Sequence, residues 1–190
     1  IAIIGSGFMA ENYVLACKKM NINNILVIGN KEEKVKKICK KYKIHGIFGG
    51  YEKNLKSLEK MDLVIICIPV HLLVLCTNLA IKYCQKNILI EKPGSIYVNE
   101  LLNLNKIIKS ANVKIGYNRI SYPNYQLLKQ KTKEDGGITS CTFTFTERID
   151  KIDFNKEKPE VFSRLGIGNS LHVISMVFDL TSSSTTGAGA

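Results

Sequence analysis

The chain has no Cys-x-x-Cys pair, and its three histidines, His45, His71 and His172, show no metal-ligand spacing. A zinc site or thioredoxin-type redox motif is therefore not expected. The six cysteines fall mostly on apolar stretches and read as free buried thiols in a reducing, cytoplasmic compartment. No apolar run reaches the ~18 residues of a membrane span. The longest greasy segment, Leu63 to Ile81, is interrupted by Pro69, His71 and Asn78. The first residues lack a basic n-region, so no signal peptide is expected. The chain does not begin with methionine, and a start slightly upstream is expected. Arginine is scarce as well: only Arg119, Arg148 and Arg164 are present, so the formal charge of +11 is carried mainly by lysine. Those lysines cluster on helical faces, as at Lys31, Lys34, Lys36, Lys37, Lys40 and Lys41, and read as solvated surface with a bias in composition. An anionic partner is the alternative reading of the same excess. Neither a nucleic acid nor a membrane is expected as partner.

What the chain does have is alternation of strand and helix signals. Strands are expected at Ile1–Ile4, Ile25–Ile28, Ile44–Phe48, Leu63–Ile68, Ile88–Ile90 and Val113–Tyr117. Helices are expected at Met9–Met20, Glu32–Lys43, Lys53–Lys60, Leu72–Tyr83 and Asn99–Ser110. This rhythm predicts an α/β fold, a doubly wound parallel sheet of Rossmann type, over residues 1–119. It then breaks. Ile138–Ile149 alternates Ser140, Thr142, Thr144 and Thr146 with Cys141, Phe143 and Phe145, which predicts one long half-buried strand after the turn Asp135-Gly136-Gly137. Asp150 to Lys158 reads as loop and Leu171–Leu180 as helix. Residues 120–180 are thus expected to form a partial α+β second domain. The Ser/Thr/Gly tail of 181–190 is low in complexity and expected to be disordered or a linker.

Two motifs carry chemistry. Gly5-Ser6-Gly7-Phe8-Met9-Ala10 fits Gly-x-Gly-x-x-Gly/Ala between a strand and a helix. In that pattern Gly5 allows the tight turn, Gly7 lets the backbone approach a pyrophosphate, and Ala10 lets helix and strand pack closely. The helix N-terminus, with unpaired N–H groups and roughly +0.5 charge, suits a diphosphate. Glu91-Lys92-Pro93 ends the apolar strand at 87–90, at the sheet edge where open α/β folds bind ligands. The second strand ends in Ile28-Gly29-Asn30-Lys31, without the acid that usually holds a ribose 2′-hydroxyl. Asn30 and Lys31 therefore favour NADP, with NAD as the alternative. At Cys67-Ile68-Pro69-Val70-His71 another strand leaves the sheet at the same edge. His71 either stands near the nicotinamide or caps the helix after it.

Gly-x-Gly-x-Met-Ala at 5–10, Ile-Pro at 68–69, Glu-Lys-Pro at 91–93 and Gly-Tyr-Asn-Arg at 116–119 occur in that order. The set resembles the Gfo/Idh/MocA family of sugar-active dehydrogenases over roughly residues 1–180. The resemblance implies an NAD(P)-dependent oxidoreductase that passes a hydride between the nicotinamide and a sugar, cyclitol or nucleotide-sugar substrate. It implies that Lys92 bonds the reacting hydroxyl and that His172, at the start of a helix in the second domain, is the general base. Read without the resemblance, His172 is more readily a buried structural residue than a base. The candidate cofactor contacts are Gly5, Ser6, Gly7, Phe8, Met9, Asn30, Lys31, Ile68, Pro69, His71, Glu91, Lys92 and Asn118. Arg119 and Asn169 are the substrate candidates, Arg119 either meeting an anionic group or forming a surface salt bridge. No metal is expected, and a homo-oligomer is expected if the second domain is complete. Two positions depart from the family pattern: Gly168 stands where many relatives carry an aspartate before the histidine, and Ser175 where many carry one after it. A dinucleotide-binding sensor or scaffold without catalysis is the rival reading.

Overall fold

The computed structural model describes residues 1–146, 150, 152–153 and 159–182. The chain divides into two compact units, Ile1–Gly116 and Tyr117–Ala190.

The first unit alternates strands and helices: β1 (Ala2–Ile4), α1 (Phe8–Lys19), β2 (Leu26–Ile28), α2 (Glu32–Tyr42), β3 (His45–Ile47), α3 (Tyr51–Lys56), β4 (Val64–Ile66), α4 (Leu73–Lys82), β5 (Asn87–Ile90), α5 (Val98–Ile107) and β6 (Asn112–Ile115). All six strands are parallel, in the order β3-β2-β1-β4-β5-β6. That is the dinucleotide-binding order, with the direction of winding reversed between β1 and β4.

The strand sequences explain the two cores. Successive side chains of a strand point to opposite faces. Ile4, Ile28, Ile66 and Ile90 stand side by side across four strands and belong to one buried cluster, with Leu73, Cys76 and Ala80 of α4 packed on them. Ile3, Val27 and Ile65 stand side by side on the other face, where Ala10, Val14 and Cys17 of α1 and Val35 and Ile38 of α2 cover them. Both faces are covered, so the central strands read as continuous apolar runs rather than as alternation.

Helix ends obey local chemistry. α3 begins at Tyr51, earlier than the lysine pattern predicts, because Gly50 at φ 84° turns the chain into it. Asn54 holds that turn by donating through Nδ2 to the carbonyls of Phe48 and Gly50. α2 ends at Tyr42, with Lys43 left-handed at φ 52° as its cap.

The regular elements described in the second unit are helical. A 3₁₀ turn at Asn118–Ser121 precedes α6 (Pro123–Glu134), α7 (Pro159–Phe162) and α8 (Leu165–Ser182). The sequence pattern does not announce α6, although Pro123 stands at its first position, where the absent N–H is no loss. α6 is fastened to α8 by the Tyr125 hydroxyl, 2.7 Å from the Met176 carbonyl and 2.8 Å from Asp179 Oδ2. Lys129 donates to both Asp179 oxygens at 2.9 Å and holds that carboxyl below its ordinary pKa. Burial, with the Asp179 bond, raises the Tyr125 phenol.

One expectation fails. The strand predicted over 138–149 is not formed at 138–146; residues 147–149 lie outside the described residues. The alternation is genuine, and Phe143 and Phe145 stack at 6.4 Å. Both rings are nevertheless exposed, and no second strand is described in this unit to take up the backbone groups. A strand without a neighbour has nothing to gain from extension. Of the loop expected at 150–158 only Asp150, Ile152 and Asp153 are described, and 183–190 of the tail lie outside the described residues. No helix among the described residues is long and apolar enough to cross a membrane.

Gln85 fastens the approach to β4 from the turn before β5. Its side chain is 1% exposed; Oε1 accepts from the Met61 N–H and Nε2 donates to the Glu59 carbonyl, each at 3.0 Å. Gln85→Leu strands both backbone groups, and we expect a loss of about 1–3 kcal/mol in urea unfolding. Unchanged stability would show that water replaces the bonds at no cost.

Candidate functional site

The carboxyl ends of β1, β2 and β4 open into a cleft of about 460 Å³. Its walls are the β1 turn (Ile4, Gly5, Ser6), the end of β2 (Ile28, Gly29, Asn30, Lys31), the β3–α3 turn (Gly49, Gly50) and the exit of β4 (Cys67, Ile68, Pro69). Parallel strands place all these ends on one edge. A bond from the Gly5 N–H to the Ile28 carbonyl at 2.8 Å and one from the Cys67 N–H to the Ile4 carbonyl at 2.8 Å tie the three ends together.

Gly5 and Gly7 do different things. Gly5 has φ +136°, and a Cβ there would lie 2.5 Å from the Cys67 carbonyl oxygen. It is required by the fold itself. Gly7 caps α1 in extended conformation, and a Cβ there would meet nothing within 4 Å. Gly7 therefore leaves open space in front of a helix end whose first N–H groups have no side-chain cap. Such an end accepts anionic oxygens. Glu11, the acid of this first turn, bonds to Lys41 Nζ at 2.5 Å and the Tyr42 hydroxyl at 3.0 Å. Those bonds lower its pKa and turn its negative charge aside toward α2.

The residues expected to hold a dinucleotide divide between the cleft wall and its surroundings. Gly5, Ser6, Asn30, Lys31, Ile68 and Pro69 line the cleft. Gly7, Phe8 and Met9 come next at the start of α1, with Phe8 78% exposed although it is a large apolar ring. His71 lies on the 3₁₀ turn Val70–Leu72, off the cleft wall, with its Nδ1 buried and no hydrogen-bond partner among the described residues. Glu91 and Lys92 come directly after β5 on the same edge, both half-buried, and the turn closes through the Gly94 N–H on the Glu91 carbonyl at 3.0 Å. The second unit carries the others. Asn118 and Arg119 are exposed on the 3₁₀ turn, and Arg119 forms no salt bridge among the described residues. His172 sits half-buried in α8, its ring edge-on to Tyr117 at 6.3 Å. Asn169 lies in the same helix, its side chain outside the described set. Ser175, in the place of an acid, donates its hydroxyl to the His172 backbone carbonyl at 3.0 Å and so acts on the helix backbone.

Lys34, Tyr51, Glu52 and Cys67 are among the cleft residues that the sequence motifs do not mark. Lys34 stands one turn beyond Lys31 on α2, a signal available from i,i+3 spacing. Glu52, at the start of α3 after the Gly49-Gly50 turn, brings a carboxylate to the same cleft as the β2 tip. Burial pushes the Cys67 thiol up to about 12, and its Sγ lies 3.4 Å from the Ile4 carbonyl as a neutral donor.

Comparison with known proteins places this arrangement. A model of the GFO_IDH_MocA oxidoreductase family, with its NAD-binding Rossmann fold, matches residues 1–119. A Desulfitobacterium hafniense structure assigned as an NADPH-dependent oxidoreductase is 23% identical with a TM-score of 0.79, over 94% of this chain and 54% of that one. A Sinorhizobium meliloti structure assigned as a myo-inositol dehydrogenase is 15% identical with a TM-score of 0.73, over 95% of this chain and 54% of that one. The WlbA dehydrogenase of Chromobacterium violaceum, solved with NADH and UDP-GlcNAcA, is 19% identical with a TM-score of 0.64, over 70% of this chain and 39% of that one. At these identities the likeness is one of fold, and this chain spans about half the length of those structures or less. The search of curated proteins found no match.

The two glycines should separate in stability. Gly5→Ala forces a side chain into positive φ against the Cys67 carbonyl, and we expect a loss of about 1–3 kcal/mol. Gly7→Ala should stay within about 0.5 kcal/mol of wild type. Thermal melts of the two variants measure this, and equal melting temperatures would remove the distinction.

Proposed function

This chain belongs to the Gfo/Idh/MocA family of oxidoreductases, and we propose that it transfers a hydride between a nicotinamide dinucleotide and a hydroxyl-bearing carbon of a sugar, cyclitol or nucleotide sugar. The observation that carries the reading is the cleft at the β1/β4 switch point, with open space at Gly7 and a lysine at the end of the next strand. The residues present fit a dinucleotide: the uncapped end of α1 suits the diphosphate, and Asn30, Lys31 and Lys34 suit a phosphorylated ribose. When bound, the nicotinamide supplies or accepts the hydride. The chain's own part is to bind, to orient and to move one proton. Lys92 holds the reacting hydroxyl or carbonyl oxygen by a charge-assisted hydrogen bond. His172 accepts the hydroxyl proton in oxidation and returns it in reduction, an effect typically worth about 10²–10⁴-fold. Arg119, an exposed cation without a salt bridge among the described residues, is assigned to an anionic group of the substrate, and Asn169 is assigned to the substrate as well. The protein is proposed to work in the cytoplasm, as a homo-oligomer where its second domain is complete.

NADP is preferred in this reading because two lysines and an asparagine line the cleft at the β2 end. Glu52 lines the same cleft and is the observation in favour of NAD, since a carboxylate accepts from a 2′-hydroxyl and repels a 2′-phosphate. Binding without catalysis is the second reading, favoured by the engagement of Ser175 with backbone rather than with the His172 ring.

Titration with NADPH and NADH tests the cofactor assignment. Wild type should bind NADPH more tightly, Gly7→Val should lose both ligands while keeping its melting temperature, and Asn30→Asp should move the preference toward NADH by about tenfold, or about 1.4 kcal/mol. Tighter binding of NADH by the wild type would overturn the NADP assignment. Steady-state hydride transfer with a sugar panel tests the chemistry. Lys92→Ala and His172→Ala should each lower kcat by about 10²-fold or more with the dinucleotide Kd unchanged. The double variant should be little worse than the worse single one, because groups acting as a unit are not additive. Full activity in His172→Ala would leave Lys92 as the sole proton-handling group.

A further inference from the structure

We propose that Tyr13 is a positioning residue for Lys92, acting through Glu91, so that the helix that meets the dinucleotide also holds the lysine that meets the substrate. The inference rests on the role proposed for Lys92 and adds a residue that no motif marks.

The Tyr13 hydroxyl donates to Glu91 Oε1 at 2.6 Å, across 78 residues of sequence. Tyr13 lies on α1, one turn beyond Ala10 and on the same rigid helix as the Gly7 cap. Glu91 is the first residue past β5, and its main chain is fixed by the bond from its N–H to the Ile66 carbonyl at 2.9 Å. Lys92 follows directly on this fixed residue. Lys92 enters a turn closed by the Gly94 N–H on the Glu91 carbonyl, and Gly94 at φ 82° allows its shape. The Glu91 side chain is one point from which another element steadies this segment, on the α1 side; Ser95, bonded to Glu100 of α5, is another.

Three observations make the contact more than surface pairing. First, Tyr13 is half-buried: desolvation is the largest cause raising its phenol, and the Glu91 hydrogen bond is the next. The phenol therefore remains a donor at any working pH. Second, the hydroxyl sits where β5 and β6 end: a Cβ on Gly116 would lie 3.4 Å from it and 3.4 Å from the Ile90 carbonyl. Third, Oε1 of Glu91 is taken up by a residue of α1, an element that pairs with neither β5 nor the turn through its backbone. A short hydrogen bond to an ionised acceptor is among the stronger kinds. Small displacements of a positioned group are costly: a misplacement of about 1 Å can lower a rate about 10²-fold.

The test uses Tyr13→Phe, which removes one oxygen and keeps the ring packed against the sheet. Amide hydrogen exchange of the peptide spanning 91–97 is read first, with no ligand and no turnover. It should speed up by about threefold or more, while the peptide spanning 2–8 is unchanged. With an active wild type, kcat should then fall by about 10- to 100-fold with the NADPH Kd and the sugar KM little altered. Glu91→Ala should lower kcat by a similar factor, and Tyr13→Phe/Glu91→Ala should be no worse than Glu91→Ala alone. Unchanged exchange at 91–97 in Tyr13→Phe overturns the proposal, whatever the activity. Faster exchange with undiminished kcat also overturns it, since the bond would then steady the turn without serving Lys92. A wild type that turns over no sugar while exchange at 91–97 responds as expected overturns the proposed activity and supports the Tyr13 link. If both dinucleotide binding and the melting temperature collapse in Tyr13→Phe, the residue is a packing residue and the proposal falls.

Discussion

The row Ile4–Ile28–Ile66–Ile90 is the constraint on which the rest depends. These four side chains are the last buried layer before the strands give out, and parallel register sets them level. The residues immediately after them, Gly5, Gly29, Cys67 and Glu91, therefore emerge at the same height on one edge. Each of those positions is read differently by chemistry: a turn, a close approach, a neutral thiol and an acid held by a phenol. None could be aligned with the others if a single strand slipped by one residue, because a slip moves every side chain to the opposite face. Function at this edge is thus a consequence of aliphatic packing about one residue below it.

Electrostatics then select what the edge accepts. The front of α1 is a partial positive charge without a side-chain cap, and a carboxylate in its first turn would normally help the helix but oppose an anion. Glu11 resolves the conflict by bonding to Lys41 and Tyr42, so the helix keeps its acid while the charge is paired at its flank. Lys31 and Lys34 add positive charge to the cleft at the end of β2, and Glu52 opposes them from beyond the β3–α3 turn. The balance among these three side chains, rather than the net charge of +11, sets the local charge of the cleft at the β2 end. The net charge acts at longer range, raising the encounter rate with any anionic ligand at low salt.

The Rossmann half was legible because its signals agree at every level. Apolar runs such as Ile3-Ile4 and Val64-Ile65-Ile66 are β-branched, and Gly5 breaks the first of them where a helix must start. The cleft residues Gly5, Ser6, Asn30, Lys31, Ile68 and Pro69 were readable because each lies within three residues of a strand end. Glu52 and Tyr13 were not, for opposite reasons. Glu52 reaches the cleft only through the shape of the Gly49-Gly50 turn, which fixes where α3 begins. Tyr13 lies inside the expected helix Met9–Met20 with no motif around it, and its hydroxyl finds a partner that only the tertiary fold supplies. The predicted strand at 138–149 erred in the other direction. Its alternation is a local property, whereas a strand is a pairwise one, and the described part of the second unit offers helices instead.

The second unit obeys a different logic, and the contrast bears on His172. In the first unit, polar groups sit at strand ends, held by backbone bonds that sequence cannot easily disturb. In the second, the described helices are fastened by side chains: Tyr125 and Lys129 converge on Asp179, one turn and more beyond Ser175. That anchor fixes the axial position of α8 relative to α6, and His172 lies about two turns before it at 1.5 Å per residue. The ring faces Tyr117, the first residue of this unit, edge-on at 6.3 Å. An aromatic contact restrains the plane of an imidazole without fixing its protonation, whereas a carboxylate partner would do both. Serine stands where an acid could stand, and that serine is turned to the backbone, so the carboxylate that would restrain both plane and protonation is not supplied from position 175.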